Sequence, residues 1–183
     1  MLPSEYQEVK YITASGTQYI DPDYTVNVNT KLKTMISTTS ASNVVLYGNA
    51  TALTGGVRCF QTGGKLYSAF GNYRGENTAV IVNNLVYVTE HSTSGLKING
   101  NSYVTSSGTE FEKILFLKDS YSTSYKFIGN VYKLQILENE KVIKDLVPCK
   151  RTSGSVAGMY DTVNDVFYTN AGTGNFTAGP NVT

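Results

Sequence analysis

The run Thr25-Val26-Asn27-Val28-Asn29-Thr30-Lys31-Leu32-Lys33-Thr34-Met35-Ile36-Ser37-Thr38 decides how this chain is read. Val26, Val28, Thr30, Leu32, Thr34 and Ile36 take every second position, and Asn27, Asn29, Lys31 and Lys33 fill the places between them. Side chains one residue apart point to opposite faces of a strand, so the spacing predicts one long strand over 25–38 with a single wet side. Shorter runs of the same kind cover 43–47, 57–61, 65–70, 79–82, 85–90, 96–98, 102–105, 114–117, 127–137 and 141–147. Helical spacing is almost missing. One short turn over 107–113, with Glu110, Phe111, Glu112 and Lys113, is the only helical feature expected.

The punctuation between these runs is that of hairpins. Asn99-Gly100 suits the two positive φ angles of a tight type I′ turn and is the clearest hairpin signal in the chain. Asn83-Asn84 is expected to hinge strands over 80–82 and 85–87, and Glu138-Asn139-Glu140 separates Gln135-Ile136-Leu137 from Val142-Ile143-Lys144. A single open sheet of so many strands would leave its edges and one face unprotected, so the strands must stack or close. The expected fold class is all-β, a two-sheet antiparallel β-sandwich in a single domain spanning residues 1–183.

Composition agrees with that class and excludes others. Charged residues make up only 16% of the 183 positions, while Thr, Asn, Ser and Gly fill about 70 of them, so uncharged polar groups carry the solubility. A formal net charge of +1 provides no field to gather nucleic acid or an anionic membrane. No apolar stretch is long enough for a helical membrane span, and Met1-Leu2-Pro3-Ser4-Glu5 lacks the pattern of a secretory signal. An excised module, or a protein exported by lysis or assembly, is the expectation. Cys59 and Cys149 read as buried free thiols, with a bridge between them as the alternative.

Three segments carry a resemblance. They are 2–21, from Leu2-Pro3-Ser4-Glu5-Tyr6 to Gln18-Tyr19-Ile20-Asp21; Phe127-Ile128-Gly129-Asn130-Val131-Tyr132-Lys133-Leu134-Gln135-Ile136-Leu137 followed by Lys144-Asp145-Leu146-Val147-Pro148-Cys149-Lys150-Arg151; and Gly158-Met159-Tyr160-Asp161 continuing through Asn164-Asp165-Val166-Phe167-Tyr168 to Gly174. Together they resemble the concanavalin A-like, or laminin G-like, jelly-roll modules of bacteriophage and prophage structural proteins and of gut-bacterial surface proteins. The resemblance implies a jelly roll whose first and last strands pair side by side, used for carbohydrate recognition or adhesion on a virion or cell surface. The implied partners are a cell-surface glycan or neighbouring virion subunits. Virion fibres are often homotrimers, yet no heptad repeat here argues for one. Within the matched segments Tyr132, Leu134 and Ile136 are expected to share a core face. Tyr160 should meet Phe167 or Tyr168 across a turn, and Asp161 should accept backbone N–H bonds or pair with Lys150 or Arg151.

Bond-breaking chemistry finds few candidates. A retaining glycosidase needs two carboxylates about 5 Å apart, and Glu138-Asn139-Glu140, the nearest approach, reads as an exposed turn flanked by Lys141 and Lys144. The single histidine, His91, reads as a solvated residue at a strand end, and no Gly-x-Ser-x-Gly elbow occurs. One histidine and two distant cysteines give no zinc spacing, which leaves Asp21 with Asp23, or Asp161 with Asp165, as loop-calcium candidates against a plainer turn-capping role. The expectation is therefore no enzyme, no cofactor and no metal.

Fourteen tyrosines and no tryptophan suit a recognition surface, because a flat ring with a wet hydroxyl can stack on a sugar and hydrogen-bond to it. The best cluster is Tyr67, Phe70, Asn72, Tyr73, Arg74 and Glu76, and the second is Asp119, Tyr121 and Tyr125. From these, Tyr67, Asn72, Tyr73, Arg74, Tyr121 and Tyr125 are the candidate ligand-binding residues. Against them stands a plainer reading in which Tyr67 packs inward, Arg74 pairs with Glu76, and the 119–125 segment is a soluble loop.

Overall fold

The computed structural model describes residues 2–51, 56–72, 75–122 and 124–183. In chain order the strands begin β1 (Tyr6–Glu8), β2 (Ile12–Ser15), β3 (Thr30–Thr38), β4 (Asn43–Asn49), β5 (Val57–Thr62) and β6 (Lys65–Phe70). They continue β7 (Gly75–Thr78), β8 (Val86–Ser92), β9 (Gly95–Ile98), β10 (Asn101–Tyr103), β11 (Ser106–Ser107) and β12 (Ile114–Phe116). The last are β13 (Ile128–Glu138), β14 (Lys141–Arg151), β15 (Ala157–Asp161), β16 (Val166–Tyr168) and β17 (Thr177–Ala178). Eleven strands make one sheet, with central order β10-β9-β8-β3-β13-β14-β15-β16. Six make the other, β11-β6-β5-β4-β12 with β7 on β6. Pairing is antiparallel apart from the short β11–β6 contact. The molecule is an all-β sandwich of jelly-roll type, and the described residues contain no helix.

Alternation builds the core. Leu32 and Ile36 of β3, Leu134 and Ile136 of β13 and Leu66 and Phe70 of β6 are buried between the sheets, and each such side chain contributes roughly 1.5–3 kcal/mol relative to exposure. Strands from the two ends of the chain lie together: Thr13 of β2 pairs with Asn130 of β13 on one side and with Thr177 of β17 on the other. Asn99 (φ 49°) and Gly100 (φ 83°) form the expected tight turn, and Asn139 (φ 49°) and Glu140 (φ 64°) form a second.

Several expectations are corrected. The long strand begins at Thr30 rather than at residue 25, because Thr30 N–H bonds to the Asn27 carbonyl and its hydroxyl accepts Asn27 N–H, closing a turn. Residues 80–82 form no strand, since the Gln61 side chain takes their backbone groups: its Oε1 accepts Val80 and Ile81 N–H, and its Nε2 donates to the Ile81 carbonyl. The 107–113 segment is extended rather than helical, with Gly108 N–H on the Phe70 carbonyl and Glu110 N–H on that of Gly71.

Tyr132 does not share the core face. The register against β3 shifts between Val131 and Lys133, so Tyr132 is the extra residue of a bulge. Val131, Leu134 and Ile136 reach the core instead. At this bulge the free side of β13 changes partner, from β2 along 128–131 to β14 along 134–138. His91 is likewise buried rather than solvated, with 0% of its surface exposed.

Gly129 marks a close backbone approach beside the bulge. A Cβ there would stand 2.0 Å from the Ser37 carbonyl oxygen and 2.7 Å from Thr38 Cα. Gly129→Ala is expected to destabilise the protein by about 3 kcal/mol, the upper range for overpacking, measured as a lower urea midpoint at unchanged m-value.

Candidate functional site

On β5, period-2 alternation sends Val57 and Cys59 into the core while Arg58 and Phe60 take the outer face of the six-stranded sheet. Val45, Phe60, Tyr67 and Glu76 then stand in register across β4, β5, β6 and β7. Tyr67 therefore points outward, not into the core as the plainer reading has it. Glu76 pairs with Lys65.

Residues 117–122 and 124–126 lie over this row and bring Tyr67 of the first cluster together with the second. Leu117 N–H bonds to the Leu46 carbonyl and Ser120 N–H to that of Asn49, which lays the segment along β4. Asp119 sits above Gly48, where a Cβ would lie 2.4 Å from the Asp119 Cβ. Its Oδ2 is 3.3 Å from Arg58 Nε, and the two side chains are 0% and 2% exposed. Burial pushes the Asp119 carboxyl above the usual range even though Arg58 pulls the other way. The Tyr121 ring covers the Arg58 guanidinium at 4.4 Å. Tyr125 stacks on Phe60 at 4.7 Å between centroids, and Tyr67 stacks on Phe60 at 5.1 Å. Three of the predicted residues, Tyr67, Tyr121 and Tyr125, are thus gathered over β5. Asn72 is elsewhere, its amide donating to the Ser107 carbonyl. Tyr73 and Arg74 lie outside the described residues.

Beside the covering segment opens a depression of about 560 Å³, bounded by Thr17, Tyr19, Lys118, Ser122, Tyr125, Lys126 and the 171–173 backbone. Its walls are held by Gln18, whose amide bonds Ser15 and Thr17 N–H and the Asn175 carbonyl, and by Asn170, which accepts Tyr19 and Gly172 N–H. One face of Tyr125 is taken by Phe60, and Tyr125 lines the depression. Arg58, Phe60, Tyr19, Lys118 and Lys126 were missed by sequence reasoning. For Arg58 and Phe60 a signal existed, since the alternation of Val57 and Cys59 places both on the opposite face.

A second depression of about 440 Å³ lies across β3, β8 and β9. Both of its carboxylates are engaged, Glu140 by Lys31 at 2.6 Å and Glu90 by Lys33, beyond the lining, at 3.0 Å, and its aromatic residue, Tyr103, packs against the core.

The residues weighed for catalysis or metal are engaged otherwise. Glu138 accepts the Asn27 amide and Glu140 holds Lys31. Asp21 and Asp23 share Lys113, whose ammonium holds the Asp23 carboxyl below its ordinary value. Asp161 accepts Asp145 and Val163 N–H and the Asn164 amide, with Lys144 at 3.9 Å rather than Lys150 or Arg151. Tyr160 does pair with Phe167. Cys59 and Cys149 are free and buried, and burial pushes both thiols up to about 12. Among the described residues no three His, Cys, Asp or Glu side chains gather as a metal site.

No protein-family profile and no curated protein matches this chain. A solved structure does: the crystal structure of a "putative carbohydrate binding protein" from Bacteroides ovatus ATCC 8483 superposes with a TM-score of 0.60 at 13% identity. The match covers 96% of this chain and 62% of that one, so this chain spans less than two thirds of that protein's length. At that identity the likeness is one of fold.

Proposed function

We propose that residues 1–183 form one jelly-roll recognition module, of the concanavalin A-like or laminin G-like kind, displayed on a virion or bacterial surface. It binds glycan without transforming it, in the depression beside Tyr125. The observation that carries this reading is the placement of the Tyr125 ring, backed by Phe60, in a depression lined with hydroxyl, amide and ammonium groups. Sugars present C–H faces to rings and hydroxyls to such groups. The fold-level likeness to a protein named for carbohydrate binding supports the same ligand class.

The test is a glycan array followed by calorimetry on the best binder. Tyr125→Leu keeps an apolar cover on Phe60 but removes the flat ring. About a tenfold loss of affinity is expected, since an aromatic contact is worth ~0.5–1.5 kcal/mol beyond its buried area. Tyr132→Leu, on the other sheet, should bind normally. No glycan bound, or equal binding by Tyr125→Leu, overturns the reading.

One observation favours the alternative of a virion module that makes only protein contacts. Met35, Val86 and Val88 are 38%, 41% and 46% exposed and lie on adjoining strands of the large sheet, with Met35 opposite Val88. A particle that fails to assemble with Val88→Lys but assembles with Tyr125→Leu would favour that role.

A further inference from the structure

The geometry points to an acidic glycan, one carrying a carboxylate, sulfate or phosphate group, as the ligand class of the depression beside Tyr125. This rests on the glycan-binding reading above. The depression is lined by two ammonium groups and one carboxylate, and the carboxylate is spent: Asp119 is buried against Arg58. The nearby Glu112 is engaged by Thr51 through its N–H and hydroxyl. Neither Lys118 nor Lys126 is in an ion pair among the described residues.

Both lysines are placed rather than loose. The Lys118 ammonium lies 4.2 Å above the Tyr19 ring, and the stem of Lys126 runs along Gly16, where a Cβ would meet Lys126 Cδ at 3.4 Å. Lys118 therefore caps the Tyr19 ring, which leaves Tyr125 as the aromatic residue open to stacking in a depression that both lysines line. With Asp119 spent on Arg58, the two ammonium groups are the charge that the depression has to offer a ligand. A neutral sugar on Tyr125 would leave both ammonium groups facing water, whereas an anionic substituent would meet them.

The experiment compares three probes on the full chain: an oligogalacturonate, a sulfated dextran oligosaccharide and a neutral malto-oligosaccharide. Affinities are measured at two salt concentrations for wild type, Lys118→Gln, Lys126→Gln and the double variant. Each single change should weaken the preferred acidic probe about three- to fivefold, the scale of a partly exposed charge pair, and the double variant should lose most of the salt dependence. Lys97→Gln, on the other sheet, is the control and should change nothing. The two acidic arms separate carboxylate from ester recognition. If the neutral probe binds as tightly as the acidic ones and the lysine variants bind unchanged, the acidic class is overturned while glycan binding stands. If none of the probes and no array glycan binds, the underlying reading falls with it.

Discussion

Asp119→Ala is expected to cost ~3–5 kcal/mol of folding stability, the usual consequence of removing the counter-charge from a buried ion pair. Out of a total of roughly 5–15 kcal/mol this is a large fraction. Arg58 is 2% exposed and always ionised, so once the carboxylate 3.3 Å away is removed it can neither neutralise itself nor reach water without lifting the segment that covers it. The variant should show a lower urea midpoint and should also lose glycan affinity, because Tyr121 and Tyr125 ride on that segment. Arg58→Met combined with Asp119→Asn removes both charges and keeps an acceptor for Tyr121 N–H, which Asp119 Oδ1 holds at 3.1 Å. This pair should recover most of the lost stability. A single-variant loss below ~1 kcal/mol, in the range of a solvent-exposed pair, would show that the ion pair does not anchor the segment.

Acid should expose a second buried group. His91 Nδ1 is 2.8 Å from the Tyr47 hydroxyl and Nε2 is 2.8 Å from the Thr105 hydroxyl. Each hydroxyl can donate or accept, so the pair suits a neutral ring in either tautomer and supplies no counter-charge for an imidazolium. Burial lowers the folded-state pKa from 6.5 to about 3. Between those values the unfolded chain binds a proton that the folded one refuses, so this contribution is fully present above pH 6.5 and is lost as pH falls toward 3. The loss is about 2 kcal/mol at pH 5 and about 5 kcal/mol near pH 3, at ~1.36 kcal/mol per unit. Asp119, with its raised carboxyl, works in the opposite direction. Unfolding of wild type and His91→Gln across pH 7 to 4 separates the two, because only the difference between them belongs to His91. Parallel curves would refute the assignment.

Much of the architecture could be read from alternation and turns. The β6 strand spans Lys65–Phe70 as its pattern indicates, and the Asn99-Gly100 turn joins the strands it should. His91 also lay within reach of the pattern, since Tyr87, Thr89 and His91 take the inward phase of β8. The bulges at Tyr132 and Leu46 were out of reach, because an inserted residue resets the phase of a strand without changing its composition. Nor could spacing reveal that Tyr67 and Tyr125 meet through Phe60, a contact set by how 117–126 lies across another strand. The loss of strand character over 80–82 is similar: it comes from one distant side chain, Gln61.

The lodging of β2 between β13 and β17 bears on biosynthesis. During synthesis residues 12–15 find one neighbour only when 128–131 have been made and the other only when 177–178 follow. Closures so distant in sequence are slow. Residues 12–15 must stay unpaired until those distant strands have been made, and that waiting interval is when chaperones or misassociation can act on them.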